Sequence, residues 1–360
     1  MRGIAIMNTR AGTAGLLFTL LLAACAGTPD LEATHRDGLT LYQAGRYAEA
    51  TAKFEQALDL GQKQLGQDHV TTASLLGNLA ESYRSQGRYA QAEPLLSRAL
   101  VILQAAAGGD HPSVALILNN QAALYVAQGR YAEAEPLHMR ALAIIETARG
   151  PDHPDVAQSL NSLALLYQAQ RRHAEAEPYF ARALAINEKT LGSEHPNVAA
   201  SLNNLGMVRR AQERPTEAEP LFRRAVAIDE KVLGAHHPAL ATSLNNLAGL
   251  YADQRRYTDA APLFKRSLAI NEKALGAEHP LVATSFNNLA MVHQAQRQYA
   301  EAEPLMKRAV AILEKTLGRD HPEVAEALEN YAALMRDTGR VAEAQALDAR
   351  VTAIRARSGR

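Results

Sequence analysis

The sequence predicts an all-α fold, a solenoid of stacked helical hairpins, and three observations carry that prediction. The first is a period: His69, His111, His153, His195, His237, His279 and His321 step by 42 residues without a slip, and Gly66, Gly108, Gly150, Gly192, Gly234, Gly276 and Gly318 keep the same step. The second lies inside each period, where two apolar stripes with three- and four-residue spacing are separated by a short break. The third is composition. Ala, Leu, Glu, Gln and Arg dominate, all residues that lose little side-chain freedom in a helix, and Val, Ile and Thr never gather into alternating runs.

Composition also excludes several classes of function. The chain has 360 residues, 47% of them hydrophobic, enough to bury a core. Lys plus Arg equals Asp plus Glu at 38 each, so there is no basic excess with which to neutralise nucleic-acid phosphates. A single Cys rules out a disulfide framework and any thiolate zinc site.

The elements follow in chain order. Residues 1–24 carry Arg2 and Arg10 as their only charges and an almost wholly apolar run from Gly15 to Ala24, too short for the roughly 30 Å of a bilayer core. A basic start, a short apolar stretch and small residues at its end read as a secretory signal. Leu21-Leu22-Ala23-Ala24-Cys25 resembles the lipobox of bacterial lipoproteins, in which the Cys sulfur is acylated and becomes the new first residue. The resemblance implies lipidation at Cys25 and a site in the bacterial cell envelope, with Ala26 rather than Asp implying the periplasmic face of the outer membrane. Residues 25–35, with Gly27, Thr28 and Pro29, read as a short acylated tether.

From residue 36 to 345 the period predicts about eight hairpins. In the unit that begins at Pro112, Val114, Leu118, Ala122 and Tyr125 mark the first helix, Gly129-Arg130 breaks it, and Ala134, Leu137, Ala141 and Ile145 mark the second. Gly150 sits where a helix end takes a left-handed residue, and Pro154 at a first helical position, where its missing N–H is no loss. Ala50, Ala92, Ala134, Ala176, Ala218, Ala260, Ala302 and Ala344 form a ladder that lets helix backbones approach closely. A single hairpin cannot bury its apolar face, so stacking supplies the stability. Residues 341–360 hold the last helix and tail, with Arg350, Arg355 and Arg357 suiting a solvent-facing cap.

Leu79, Ala80, Tyr83, Ala92, Leu96 and Ala99 fall at the spacing of the tetratricopeptide repeat. The 42-residue period, the Asn-Asn-Leu-Ala core and the closing Leu-Gly-x-x-His-Pro resemble the longer variant of kinesin light chains. This resemblance implies a right-handed superhelix and a generic docking role. Arg209 and His293 depart from it by replacing the Tyr of the first helix, and Pro215 and His173 by replacing the Tyr that opens the second; looser packing is expected there.

No motif points to catalysis. Gly-x-x-x-x-Gly-Lys-Ser/Thr, His-Glu-x-x-His and Gly-x-Ser-x-Gly are all absent, so neither nucleotide nor cofactor is expected. Equivalent His residues lie one hairpin apart, too far to share a metal ion, and read as helix-start residues. Glu133, Glu135, Glu175 and Glu177 recur near second-helix starts, where negative charge suits the helix dipole.

The Asn residues stand out. Asn119, Asn120, Asn161, Asn203, Asn204, Asn245, Asn246, Asn287 and Asn288 recur midway along the first helices, although Asn is a mediocre helix former. Two readings stay open, one amide holding the neighbouring helix and the other facing a groove that the resemblance places along the first helices. Met207 and Met291 lie four residues after Asn203 and Asn287, on the same face. The function expected is a membrane-anchored, non-catalytic scaffold binding a peptide segment or protein in that groove. The alternatives are a self-assembling structural envelope lipoprotein and an accessory subunit of an envelope or secretion complex.

Overall fold

The computed structural model describes residues 29–357, and these form sixteen α-helices and no strand. The signal, Cys25 and the first part of the expected tether lie outside the described residues. The helices pair as α1 (Pro29–Gln43) with α2 (Tyr47–Leu65), α3 (Val70–Ser85) with α4 (Tyr89–Ala107), and α5 (Pro112–Ala127) with α6 (Tyr131–Arg149). After α7 (Pro154–Ala169) and α8 (His173–Leu191) come α9 (Pro196–Ala211) with α10 (Pro215–Leu233) and α11 (Pro238–Asp253) with α12 (Tyr257–Leu275). The series closes with α13 (Pro280–Ala295) and α14 (Tyr299–Leu317), then α15 (Pro322–Asp337) and α16 (Val341–Arg357).

The first hairpin starts earlier than the sequence suggests. Pro29 opens α1, so residues 29–35 are helix and not tether. Leu31 explains why: it is fully buried against Ala57 and Leu75, which anchors a first turn that also carries Asp30 and Glu32 at its dipole-favoured end.

The chain divides into two compact units, with the division inside α8 after Ile186. Consecutive helices pack on one another from α1 to α7 in one unit and from α9 to α16 in the other, and first helices also touch first helices: α3 with α5 and α5 with α7 in one unit, α9 with α11 and α13 with α15 in the other. The Ala ladder is buried at all eight positions, inside the helix–helix contact. Four residues on, a column of bulky side chains fills the space between the two helices of a hairpin: Phe54, Leu96, His138, Phe180, Phe222, Phe264 and Met306. Where the facing residue is Gly the ring lies on bare backbone, and a Cβ on Gly206 would come within 2.6 Å of Phe222 Cε1.

Both turns of the repeat have a backbone cause. Between hairpins, Gly66, Gly108, Gly150, Gly192, Gly234, Gly276 and Gly318 all have φ between 86° and 99°. Gly234, at φ 86° and ψ 168°, lies beyond the left-handed helical region expected, in a region essentially confined to glycine. The seven histidines then cap the next first helix. Each Nδ1 accepts the N–H two residues on at 3.1–3.2 Å, so the rings serve the helix start.

Candidate docking surface

Besides Pro196, Arg209 and Arg210, the residues of α9 that keep exposure are Asn197, Ala200, Asn204, Met207 and Ala211, the three-and-four spacing of a single face. In the same unit Ala239 and Thr242 on α11, Leu281 on α13 and Glu323, Glu326 and Ala333 on α15 occupy equivalent positions and are half-buried. In the other unit Ser113 and Leu116 on α5, with Asp155 and Leu165 on α7, do the same, and Gln158 on α7 is exposed. Side-by-side first helices therefore present a wall of mostly small, uncharged side chains.

The Asn columns sit in this wall but deeper than a binding surface requires. Asn119, Asn120, Asn203, Asn245, Asn246, Asn287 and Asn288 are buried; Asn161 and Asn204 are half-buried. Several are engaged with one another. Asn288 Nδ2 donates to Asn245 Oδ1 at 2.9 Å, Asn330 Nδ2 to Asn287 Oδ1 at 3.2 Å, and Asn78 Nδ2 lies 2.7 Å from His35 Nε2. Each contact joins residues 43 apart, so the second amide of one repeat clamps the first position of the repeat before it. Tyr42 with Ser85, Arg210 with Asp253, and Gln294 with Asp337 keep the same 43-residue offset. The register of neighbouring first helices is thus one residue more than the period. Asn287 also donates to Met291 Sδ at 3.4 Å, and Asn119 Oδ1 lies 2.8 Å from His138 Nδ1. Met207 is half-buried and Met291 nearly covered, at 8% exposure.

A second polar seam joins each second helix to the following first helix. Asn187 Nδ2 donates to Ser201 Oγ at 2.9 Å and Asn271 Nδ2 to Ser285 Oγ at 3.0 Å. At the equivalent place between them stands Asp229, and there the direction reverses: Ser243 Oγ donates to Asp229 Oδ2 at 2.5 Å. Burial pushes the Asp229 carboxyl above the usual range, against the opposing effects of the Ser243 hydrogen bond and the His237 charge.

Two further ladders escaped the sequence reading. Arg98, Arg140, Arg182, Arg224, Arg266, Arg308 and Arg350 recur every 42 residues, and each reaches the end of the preceding second helix or the turn after it. Within the last cap, Arg350, Arg355 and Arg357 accordingly turn back onto Glu314, Glu329 and Asp320. In the other ladder, Arg88, Arg130, Arg172 and Arg256 lie 3.9–4.4 Å over the rings of Tyr83, Tyr125, Tyr167 and Tyr251. The Tyr hydroxyls donate to Glu55, Glu93, Glu135 and Glu219 of the preceding repeat. Glu135 is therefore a link between repeats as well as a dipole partner. The signal for both was available as a period, but Arg on a helix surface reads as solvated until its partner is in view.

At the departures the packing holds. His293 Nδ1 lies 2.6 Å from Gln298 Oε1, so where Tyr becomes His the stacking Arg has become Gln. Ala176 and Ala218 are fully buried behind His173 and Pro215. Among the described residues no group of three or more His, Cys, Asp or Glu converges on a metal position, and no helix is long and apolar enough to cross a membrane.

Seven overlapping windows between residues 31 and 357 match the tetratricopeptide repeat model, each displaced by 42 residues apart from the first step. The chain belongs to the tetratricopeptide repeat family. Its array is similar to the crystal structure of a kinesin light chain with nearly identical repeats from Podosopora anserina, at 34% identity over 57% of this chain and 98% of that one, with a TM-score of 0.48. It is similar to BtubC (BKLC) from P. vanneervenii at 25% identity over 64% of this chain and 91% of that one, TM-score 0.52. The Rap protein, solved in complex with the Competence and Sporulation Factor, shares the fold at 14% identity over 92% of this chain and 99% of its own, TM-score 0.59. None of the curated proteins is recognisably similar to the chain.

Proposed function

We propose that this tetratricopeptide array is a non-catalytic docking scaffold, tethered to a bacterial envelope membrane through a lipidated Cys25, that takes an extended protein segment along its first-helix wall. The observation that carries the docking reading is the contrast between that wall and the rest of the repeat. The recurrent His, Ala, Arg and Tyr side chains are engaged in caps and contacts between repeats, and the recurrent Gly residues supply the backbone of the turns. The wall residues Asn197, Ala200, Asn204 and Met207 keep surface, although Met207 also packs on the core beneath it. A row of amides suits a peptide main chain because each donates and accepts. The zero net charge supports a protein partner over a nucleic acid.

The anchor rests on the lipobox-like run and the position of the single Cys. Three acyl chains would hold far more firmly than the marginal binding of a single chain. We place the anchor at the periplasmic face of the outer membrane, on the strength of Ala26. Membrane fractionation tests it: Cys25→Ser should leave the protein soluble or unprocessed, whereas an unmodified Cys25 found by intact-mass spectrometry in membrane fractions refutes it. Crosslinking in cells followed by affinity capture tests the scaffold. Recovery of the same partner with wild type, and its loss after substitution of the wall residues Asn197 and Asn204 by Ala at unchanged helical content, is the expected result. Survival of capture would make those amides purely structural.

A further inference from the structure

We infer that the outer face of α4 and α6 is a dimerisation surface, on which a second copy of this chain packs antiparallel, α4 of each copy on α6 of the other. The surface lies on second helices, so this dimer is independent of what the first-helix wall binds.

Five exposed positions line the outside of each second helix at steps of four, three, four and four, the spacing of a seam along which helices interdigitate. In α4 they hold Ala90, Pro94, Ser97, Val101 and Ala105. In α6 they hold Ala132, Pro136, Met139, Ala143 and Thr147. None of these side chains is charged. Val101 is nevertheless 65% exposed and Met139 53%, which leaves two large apolar groups in water.

Elsewhere the same seam is charged. The helices α10, α12 and α14 carry Arg223, Lys265 and Lys307 at the middle position and Lys231, Lys273 and Lys315 at the last. In α2 the seam holds Glu55, Asp59 and Lys63, in α8 it ends on Lys189 and in α16 on Arg357. Among the described second helices, only α4 and α6 are uncharged at all five positions, and they are neighbours. Arg130, just before α6, binds Glu93 of α4 at 2.9 Å, and Arg140 of α6 donates to Gly109 O beyond the end of α4 at 3.3 Å. The result is one uncharged face, two helices wide, of the kind that marks a contact surface. Its flanking charges are already engaged, Glu133 by Arg130 at 2.6 Å and Arg98 with Gln67 at 3.0 Å, so covering the face strands no ion.

Size, shape and charge select a second copy as the occupant. Each helix of 19 residues is about 28 Å long and about 10 Å across, so the two present roughly 560 Å². Two copies together bury about 1,100 Å², the lower end of a specific interface. With the helices antiparallel, Met139 of one copy meets Ser97 of the other, Val101 meets Pro136 and Ala143 meets Pro94. The two bulky side chains thus never oppose each other. A two-fold contact also sets a patch against itself, and a neutral face does so without opposing like charges. A membrane surface fits less well, because a helix lying among headgroups carries Trp, Phe or Leu in its apolar stripe and these positions hold none.

The test uses the full chain with Cys25→Ser, which keeps any lipid and any native thiol out of the measurement. Light scattering over a concentration series should give twice the mass of one chain, dissociating in the micromolar range. Met139→Lys installs the residue found at Lys265 and Lys307, and Val101→Asp the one found at Asp59, so the repeat accommodates both. Each should raise the dissociation constant about tenfold or more at unchanged helical content and melting temperature, because the two-fold axis buries the new charge twice. Lys265→Met, in the second unit, should leave it unchanged. Pairing is read by mixing chains carrying Ser97→Cys with chains carrying Met139→Cys; a disulfide between unlike chains should form faster than one between like chains. A monomer throughout the series overturns the inference, as does a dimer indifferent to both charged variants. Met139→Cys chains that crosslink chiefly with themselves overturn the pairing of α4 with α6.

Discussion

The unit that ends at Ile186 and the unit that begins at Asn187 share one backbone period but meet its demands with different side chains. The turn inside each hairpin is the clearest case. It needs a left-handed residue, and before Ile186 it is closed mainly by Gly45, Gly87 and Gly129 at φ 70–76°, then Arg171. After Asn187 it is closed by Glu213, Arg255 and Arg297 at φ 58–61°, and only then by Gly339. The interiors diverge as well. The first unit buries His35 and His138 within its helices, together with the Glu81–Arg84 ion pair at 2.6 Å, with Tyr42 donating to Glu81, whereas the buried imidazoles of the second unit, His279 and His321, are helix caps. The second keeps Asn245 at the ladder position that His35 fills, and Phe222 and Phe264 where His138 stands. A period therefore constrains backbone conformation and volume strictly and polar chemistry loosely. Any side chain that satisfies its neighbours is accepted.

The comparison can be broken most forcefully at the bulky column. Phe222→Ala should destabilise the second unit by about 3–5 kcal/mol, read as a shift of the chemical-denaturation midpoint. Gly206→Ala should also destabilise, because its methyl meets the same ring at 2.6 Å, yet far less once Phe222 is already Ala. Additive effects would mean that the ring does not rest on Gly206.

Acid should separate the units next. Burial lowers His138 from 6.5 to about 4, so the folded first unit binds fewer protons than the unfolded chain between those values. Its stabilising contribution is intact above pH 6.5, declines as pH falls toward 4, and is flat below. At the acid end the contribution lost is roughly 3 kcal/mol. His35, also lowered to about 4 by burial, adds a limb of the same sign. His138→Phe, the side chain found at Phe180 and Phe222, should flatten the pH dependence of the first unit by its share. An unaltered acid limb would show that the ring is solvated.

The turns give the smaller effects. Gly234→Ala should cost about 1–3 kcal/mol although nothing lies within 4 Å of the new methyl, because the strain is in the backbone itself. Glu213→Gly should instead stabilise by about 1 kcal/mol, by removing a left-handed non-glycine residue. Thermal melts of the pair should move in opposite directions. A destabilised Glu213→Gly would indicate that its side chain makes a contact stronger than the strain it relieves.

Much of this was legible as residues. The period places every helix, and His-Pro and Leu-Gly locate the hairpin junctions, because capping and left-handed backbone are local requirements written within a few residues of where they act. The start of α1 was misread since Leu31 is the only apolar contact in its first turn, and its partners Ala57 and Leu75 lie in other helices. The Asn pairs were recognised as unusual, yet their division of labour was not, nor was the Arg ladder. Adjacent asparagines differ by about 100° around a helix, so a small rotation decides which one meets a neighbour and which one meets solvent. That rotation is set by how whole helices pack. The repeat, its turns, its caps and its buried alanines can be read from residue order alone, since each depends on contacts within a hairpin or between identical positions. The 43-residue register of the first helices emerges only once the helices are packed, because it depends on the offset between neighbouring helices, which no spacing along one chain contains.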